Sequence, residues 1–495
     1  MTHPLAGRLT ALLTALAVAA LALLGLASPV SAADSLPDPD RTGSITIHKF
    51  EAPDSPTGLP NNGTEVDTTG LTPMAGVTFS IQQVSGIDLS TNQGWSEAND
   101  LSDVFDPADA EGSITGAGYT LTEAAGSPVT TDGSGIASLS SLPLGLYLVQ
   151  ETSYPAGTTP SAPFLVSVPL TNPNDQSTWL YDVHVYPKNA TTNVTKTVED
   201  ADAIKLGDQV AWTITADIPN VDVIDGYKIV DQLDSKLTYV GAQVTLSDGT
   251  AITEGTDYTV VHDAATNTLT VQFTEAGRSV LAAHNTAQVL VEVTTTVNAV
   301  GEIANTALLY PNEASFDVRP GEPGGPVVTP PVLTKWGSIT VLKTDGDGAA
   351  LAGAVFSVYA SQADAEAGTN PISLGGQTTF TAGADGTLTI SGLRYSDYAN
   401  GQTVAPGDPG YQAYWLVEVE APAGFELLAD PIEFTVTAAT SAAGIDLTVE
   451  NVPSNAGFEL PFTGGSGRAL LYVLGFALLV VAGVVVIVSR RRAED

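Results

Sequence analysis

Apolar and polar residues alternate over short runs along most of this chain, the period-two signature of strands that bury one face. Gln209 to Ala216, Tyr258 to His262, Thr268 to Phe273 and Ala287 to Val297 each follow it, with turn-forming residues between them. One stretch breaks the pattern. Trp95, Ala98, Leu101, Val104 and Phe105 fall at helical spacing within Gln93 to Ala110, which predicts a short amphipathic helix inserted among strands. Two long uncharged apolar runs near the ends, Leu9 to Leu26 and Ala469 to Val488, belong to neither class.

The first of these runs follows Arg8, breaks at Pro29 and ends on the small residues Val30-Ser31-Ala32, so residues 1–32 read as a secretory signal peptide. The second is long enough to cross a bilayer and is followed by Arg490-Arg491-Arg492. Directly before it stand Leu460, Pro461, Phe462, Thr463 and Gly464. An LPxTG pentapeptide, a span and a basic stop in that order read as a cell-wall sorting signal, predicting export, transient membrane retention and attachment at a cell surface. The competing reading, a protein with two transmembrane helices, leaves the small-residue cleavage site unexplained.

Between the ends, composition predicts an all-β array. Of 495 residues only 15% are charged, Gly and Pro are abundant, and the length suits about three domains after processing. A net charge of -38 excludes electrostatic capture of nucleic acid and leaves cationic or uncharged partners. With no cysteine, an exported multidomain protein has no disulfide staple.

The lysines offer a substitute. Only eight occur, and Lys49, Lys196 and Lys343 lie in strand-like runs in phase with apolar neighbours: Lys49 with Ile45 and Ile47, Lys196 with Val194 and Val198, Lys343 with Ile339 and Val341. The same parity aligns Asn189 with Val183 and Val185, Asn305 with Ile303 and Ala307, and Asn451 with Leu447 and Val449. It aligns Glu151 with Tyr147 and Val149, Asp231 with Ile229 and Leu233, and Glu418 with Tyr414 and Leu416. Each presumed domain therefore directs one lysine, one acid and one asparagine inward. The bland alternative is an edge lysine whose amine snorkels to water.

Desolvation gives such a trio a chemistry. An apolar core lowers the amine pKa and raises that of the carboxyl, so a neutral amine can attack the carboxamide carbon while the acid relays protons. The expected product is an intramolecular Lys-Asn isopeptide bond, with Glu151, Asp231 and Glu418 as the catalytic acids. Lys188 has the opposite parity to Asn189 and is expected to face outward.

The run Trp179 to Asn189, with Val183, Val185, Tyr186, Pro187 and Lys188, resembles the pilin motif of the major (shaft) pilins of Gram-positive bacteria. Tyr414 to Phe425 resembles that family's E-box, YxLxETxAPxGY, with Val419 in place of Thr and Phe425 in place of the last Tyr. Tyr147 to Gly157 is a looser copy. The resemblance implies tandem immunoglobulin-like β-sandwiches of the collagen-adhesin type. It also implies that a class C-type pilin sortase cleaves Thr463-Gly464, holds the threonine carbonyl as a thioester and passes it to Lys188 of the next identical subunit, head to tail. Minor tip and base pilins, peptidoglycan reached through a housekeeping sortase, and a host or bacterial surface ligand are the other partners implied. The rival reading is a wall-anchored adhesin or minor pilin that is not polymerised.

The organisation expected is a first domain at 45–189, a second at 190–318, a Pro/Gly spacer at 319–335, a third domain at 336–453 and the sorting segment at 454–495. The first and third domains read as a repeat, since both open Gly-Ser-Ile-Thr, at Gly43 and at Gly337. A turnover enzyme is not expected, nor a metal or cofactor: the five histidines lack ligand spacing, and there is no cysteine nucleophile or phosphate loop. Asp345-Gly346-Asp347-Gly348 lacks the later acidic ligands of a calcium loop and reads as a β-turn.

Overall fold

The structure is a computed structural model that describes residues 36–53, 55–442 and 444–454. The expected signal peptide, the pentapeptide Leu460 to Gly464 and the apolar run behind it lie outside the described residues. Among the described residues no helix is long and apolar enough to cross a membrane. The chain is mostly β and divides into two compact units, one formed by residues up to Tyr154 with Pro160–Asn189, the other by Pro155–Thr159 with the chain from Ala190 onward.

In the first unit the opening strand Gly43–His48 runs parallel to Asp182–Val185 and antiparallel to Ile136–Leu142. The facing sheet has the order Thr120–Glu123, Thr78–Ser85, Gly145–Ser153, Phe164–Val168. Ile45, Ile47, Phe79, Ile81, Tyr147, Val149 and Val183 fill the space between the two sheets. Burial of these apolar side chains, at about 25 cal/mol per Å² removed from water, is the main force closing the sandwich.

The inserted helix is present and covers the outer face of the second sheet. Leu101 and Ile114 pack there with Val84, Leu146 and Leu148. This explains why Gly145–Ser153 is apolar at both parities: it is buried on two faces. The helix runs Asn92–Val104, started by Thr91, whose hydroxyl accepts from the Gly94 N–H. It stops short of Ala110 because Pro107 disfavours helical backbone at Asp106. One 3₁₀ turn, Pro107–Asp109, leads into a second helix at Ala110–Gly116, and Val104 is 59% exposed instead of buried.

The second unit opens with a sandwich of two sheets. One is Val194–Glu199, Gln209–Asp217, Gln288–Val297, Leu237–Leu246; the other is Tyr258–Asp263, Thr268–Phe273, Lys228–Gln232, Ala307–Tyr310, Val327–Val328. Trp212, Tyr227, Phe273 and Val291 lie in its core. A helix at Glu275–Ala283, capped by Thr274, was not legible in the strand pattern.

The segment 319–335 is not an extended spacer. Val327–Val328 joins the sheet as its edge strand, where prolines are tolerated. Val332 opens a strand that continues to Asp345. The first part of that strand pairs with Gly301–Asn305, and the rest pairs antiparallel with Thr387–Arg394 and parallel with Leu447–Asn451. Buried Thr334 and Trp336 draw this stretch into the fold. Opposite it stand Phe380–Thr381, Val355–Tyr359, Tyr414–Glu420 and Ile432–Phe434.

The repeat is visible in topology. In both copies the first strand runs parallel to the last. Phe79 stands opposite Glu151 and Phe356 opposite Glu418, each beside an irregularity in register. The Asp345 turn is closed by Gly348 N–H to Asp345 carbonyl at 3.0 Å, with the Asp345 carboxylate accepting from the N–H groups of Asp347 and Ala349.

Candidate functional site: three buried lysine clusters

Lys49 sits where the opening strand kinks into Phe50–Glu51. Its backbone is pinned by a 2.7 Å bond to the Gly135 carbonyl and a 2.9 Å bond from the Met74 N–H. The side chains of Lys49, Asn189 and Glu151 are sealed from solvent. Lys49 Nζ donates to Glu151 Oε1 at 2.5 Å and also to Asn189 Oδ1, while Asn189 Nδ2 donates to Glu151 Oε2 at 2.6 Å. The three side chains form a closed ring of hydrogen bonds beside Phe79, whose ring centre is 5.9 Å from Nζ. Burial pulls the Lys49 pKa down to about 8, against the opposing charge of Glu151.

Sequence reasoning missed a fourth member of this cluster. The Ser161 N–H donates to Asn189 Oδ1 at 2.7 Å, and its hydroxyl donates to Glu151 Oε1 at 2.5 Å. Ser161 lies outside any strand, so the parity test that found the others could not reach it.

In the middle sandwich Lys196 and Asp231 come from opposite sheets. Lys196 Nζ donates to Asp231 Oδ2 at 2.6 Å, and Asn305 Nδ2 reaches the same oxygen at 3.5 Å. The centre of the Trp212 ring lies 5.5 Å from the amine. Burial lowers the Lys196 pKa to about 8 and raises that of Asp231, each against the pull of its partner, so both move toward a neutral pair. Asp231 Oδ1 and Asn305 Oδ1 are buried, with no donor among the described residues.

In the third domain Asn451 Nδ2 donates to both oxygens of Glu418, at 3.0 and 2.8 Å, and to the Glu426 carbonyl at 3.0 Å. The Leu428 N–H holds Glu418 Oε2 from the other side at 3.0 Å. Lys343 is fully buried in the same core, but its amine donates to the carbonyls of Val449 and Thr344, at 2.8 and 3.3 Å. This site thus brings acid and asparagine together, while the amine is bonded to backbone carbonyls instead. Burial lowers the Lys343 pKa, opposed by Glu418 and Glu450.

Lys188 has the parity opposite to Asn189 and lies away from the core, yet it is half-buried instead of freely exposed. Thr57, Leu59, Pro60, Asn61, Leu71 and Tyr186 form a recess of about 110 Å³ with it, and its amine donates to the Tyr186 carbonyl at 3.2 Å. Strand parity gave the face; it could not show that segment 57–71 lies against it. This partial burial lowers the Lys188 pKa.

Comparison with known proteins matches this architecture. Residues 40–190 fit the N-terminal domain D1 of Gram-positive pilin subunits, 189–309 the Sgo0707 N2 domain, and 337–451 the SpaA prealbumin-like fold domain. The chain is 35% identical to the type 1 fimbrial subunit of Actinomyces viscosus over 98% of its own length and 97% of that protein. The full-length major pilin SpaD of Corynebacterium diphtheriae superposes with a TM-score of 0.65 at 30% identity, covering 85% of this chain and 99% of SpaD. The major pilin SpaA of the same organism, whose structure is described as pointing to a modular pilus assembly stabilizing isopeptide bonds, gives 0.60 at 27% identity, with 83% and 100% covered. Tandem prealbumin-like pilin domains define a fimbrial subunit of a cell-surface pilus. The chain belongs to the major pilins of Gram-positive bacteria.

Proposed function

We propose that this chain is the repeating subunit of a covalent pilus shaft, each domain stapled by a Lys-Asn isopeptide bond and each subunit joined from Thr463 to Lys188 of the next by a sortase. The observation that carries the internal bonds is the closed ring of Lys49, Glu151 and Asn189 in an apolar core. At a pKa near 8 about one Lys49 in ten is a neutral amine at neutral pH, against fewer than about one in a thousand for a solvated lysine.

The chemistry balances within the trio. Glu151 takes a proton from the Lys49 ammonium, the freed lone pair bonds to Asn189 Cγ, and the carbonyl electrons move onto Oδ1. Glu151 returns a proton to Nδ2, the Cγ–Nδ2 bond breaks as the carbonyl reforms, and the surplus proton on the new amide nitrogen passes back to Glu151. One amide replaces another and ammonia leaves, with no oxidant or external energy source. Lys196, Asp231 and Asn305, and Lys343, Glu418 and Asn451, take the same roles in their domains. The SpaA structure is described as pointing to a modular pilus assembly stabilizing isopeptide bonds, which supports extending this reading here.

Lys188 is turned from the core, so it escapes this reaction and keeps its amine for the neighbouring subunit. Its attack on the Thr463 thioester forms an amide and releases the sortase thiol. Two measurements test the proposal. The recombinant ectodomain is expected to be lighter than its sequence by one ammonia per domain, and the Lys196→Ala and Lys343→Ala variants each lose one such deficit after allowing for the substitution. In cells, Lys188→Ala is expected to leave secretion intact and abolish the high-mass ladder on denaturing gels. A persisting ladder means that another amine is the acceptor.

A further inference from the structure

We infer that Ser161 is a catalytic residue of the first-domain reaction, its backbone N–H serving as the donor that stabilises the oxyanion formed on Asn189. This inference rests on the isopeptide reading above and adds the group that reading lacks: something to hold the negative charge on Oδ1 when the amine adds to Cγ.

Three observations place it there. The Ser161 N–H donates to Asn189 Oδ1 at 2.7 Å, the atom on which charge develops. Among the described residues that N–H takes part in no strand ladder, so it is free for this acceptor. Pro160 precedes Ser161 and Pro163 follows two residues later, restricting the backbone on both sides and fixing the direction of the donor before reaction. A donor aimed beforehand needs no reorganisation when charge appears, and in a dry site its effect on the barrier is large.

The hydroxyl of the same residue has a separate task. It donates to Glu151 Oε1 at 2.5 Å, the oxygen that faces the Lys49 amine, and lies 3.4 Å from Nζ. Ser161 Oγ thereby orients the carboxylate so that Oε1 meets the incoming proton while Oε2 meets Nδ2. The other two sites lack this device: Asn305 Oδ1 and Asn451 Oδ1 are buried with no donor among the described residues. Ser161 is therefore particular to the first domain.

The test uses the whole ectodomain made by cell-free synthesis, with mass spectrometry over time of the fragment containing both Lys49 and Asn189. Ser161→Ala keeps the N–H and removes only the hydroxyl; Ser161→Pro removes both. The wild-type fragment is expected to lose one ammonia, Ser161→Ala to lose it more slowly by less than about tenfold, and Ser161→Pro to be slowed by about a hundredfold or more, as for loss of an oxyanion donor elsewhere. Ser161→Pro reacting at the wild-type rate overturns the inference while leaving the isopeptide reading intact. A wild-type fragment that keeps its ammonia overturns both. Folding is separated from chemistry in a Lys49→Ala background, where no bond can form. There Ser161→Pro is expected to lower the unfolding midpoint no further than Asn189→Ala does, since both remove the same buried hydrogen bond, and to keep a cooperative transition; loss of cooperative unfolding of the first domain means that Ser161 is structural and sinks the inference.

Discussion

Asn451 gives one amide nitrogen to both oxygens of Glu418, at 3.0 and 2.8 Å, and this fixes which end of the carboxamide faces the acid. On the proposed reading the nitrogen that leaves is held by the group that protonates it, while Asn451 Oδ1 is buried with no donor among the described residues. Glu418→Gln keeps the size of the side chain and removes its ability to exchange protons. The expected result is a third domain that folds but keeps its ammonia, seen as one lost mass deficit. A crosslink closing a loop of about 100 residues stabilises by about 4–5 kcal/mol in chain-entropy terms, so the variant is also expected to unfold at markedly lower denaturant.

The middle domain yields a pH signature when its bond is prevented. In Asn305→Ala, Lys196 stays a free amine with a folded pKa near 8, depressed from its ordinary 10.5 by burial. Between those values the unfolded chain binds more protons than the folded one, so stability rises with pH through that window and levels off above it. Below about pH 8 the variant carries the full cost of the buried ammonium, roughly 3 kcal/mol. Chemical unfolding at pH 7.5 and at pH 10, relative to wild type, measures the difference. On the proposed reading Lys196 is an amide in the wild type and does not titrate, so a variant whose stability relative to wild type is flat across that range contradicts the assignment.

The elements that period and parity could reach were legible in the sequence, and the rest depended on chain segments without a period. Lys49, Lys196 and Lys343 stood out because an ionisable residue in phase with Ile and Val conflicts with burial unless chemistry or pairing resolves it. Thr268 to Phe273 was legible for the same reason in reverse, as a clean alternation. Ser161 and Arg394 were not, since one lies in a loop and the other ends a strand whose surroundings come from residues about 190 positions away. The 319–335 segment misled because its prolines and glycines outnumber the few apolar residues, Val327, Val328, Val332 and Leu333, that bind it to the fold. The cover over Lys188 is likewise a contact between distant segments, which spacing along one strand cannot reveal.

A staple between the first and last strands predicts a mechanical result. In the first unit Gly43–His48 runs parallel to Asp182–Val185, and the proposed Lys49–Asn189 bond would bypass the 140 positions that separate its ends. Pulling the wild-type subunit is expected to release none of that length. In Lys49→Ala the same stretch becomes extensible, adding up to about 490 Å of contour at about 3.5 Å per residue. Single-molecule stretching of the two forms reads this directly, and a wild-type domain that releases the same length as the variant rules out the staple.

Arg394 makes the strongest prediction about the second unit. Its guanidinium is fully buried and has no carboxylate partner among the described residues; it donates instead to the carbonyls of Ala203, Ala201, Tyr395, Tyr398 and Gly410. Alongside it, Leu206 N–H donates to the Gly392 carbonyl at 2.8 Å, Arg394 N–H to the Ile204 carbonyl at 3.1 Å and the Tyr414 hydroxyl to the same Ile204 carbonyl at 3.1 Å. Nearby, Asp200 accepts from the Asn400 N–H at 2.6 Å and the Thr334 hydroxyl at 2.5 Å. The loop that follows Val194–Glu199 is thus held against the end of Thr387–Arg394 by an isolated antiparallel bridge between Lys205 and Leu393, with one arginine donating to the carbonyls around it. Arg394→Met fills the volume but leaves those carbonyls unpaired, each costing about 1–3 kcal/mol. Hydrogen exchange at Ala201 to Leu206 is expected to rise by about a hundredfold or more while the two flanking cores stay protected. Unchanged protection of that loop would mean that its backbone pairing, and not the arginine, joins the two halves of this unit.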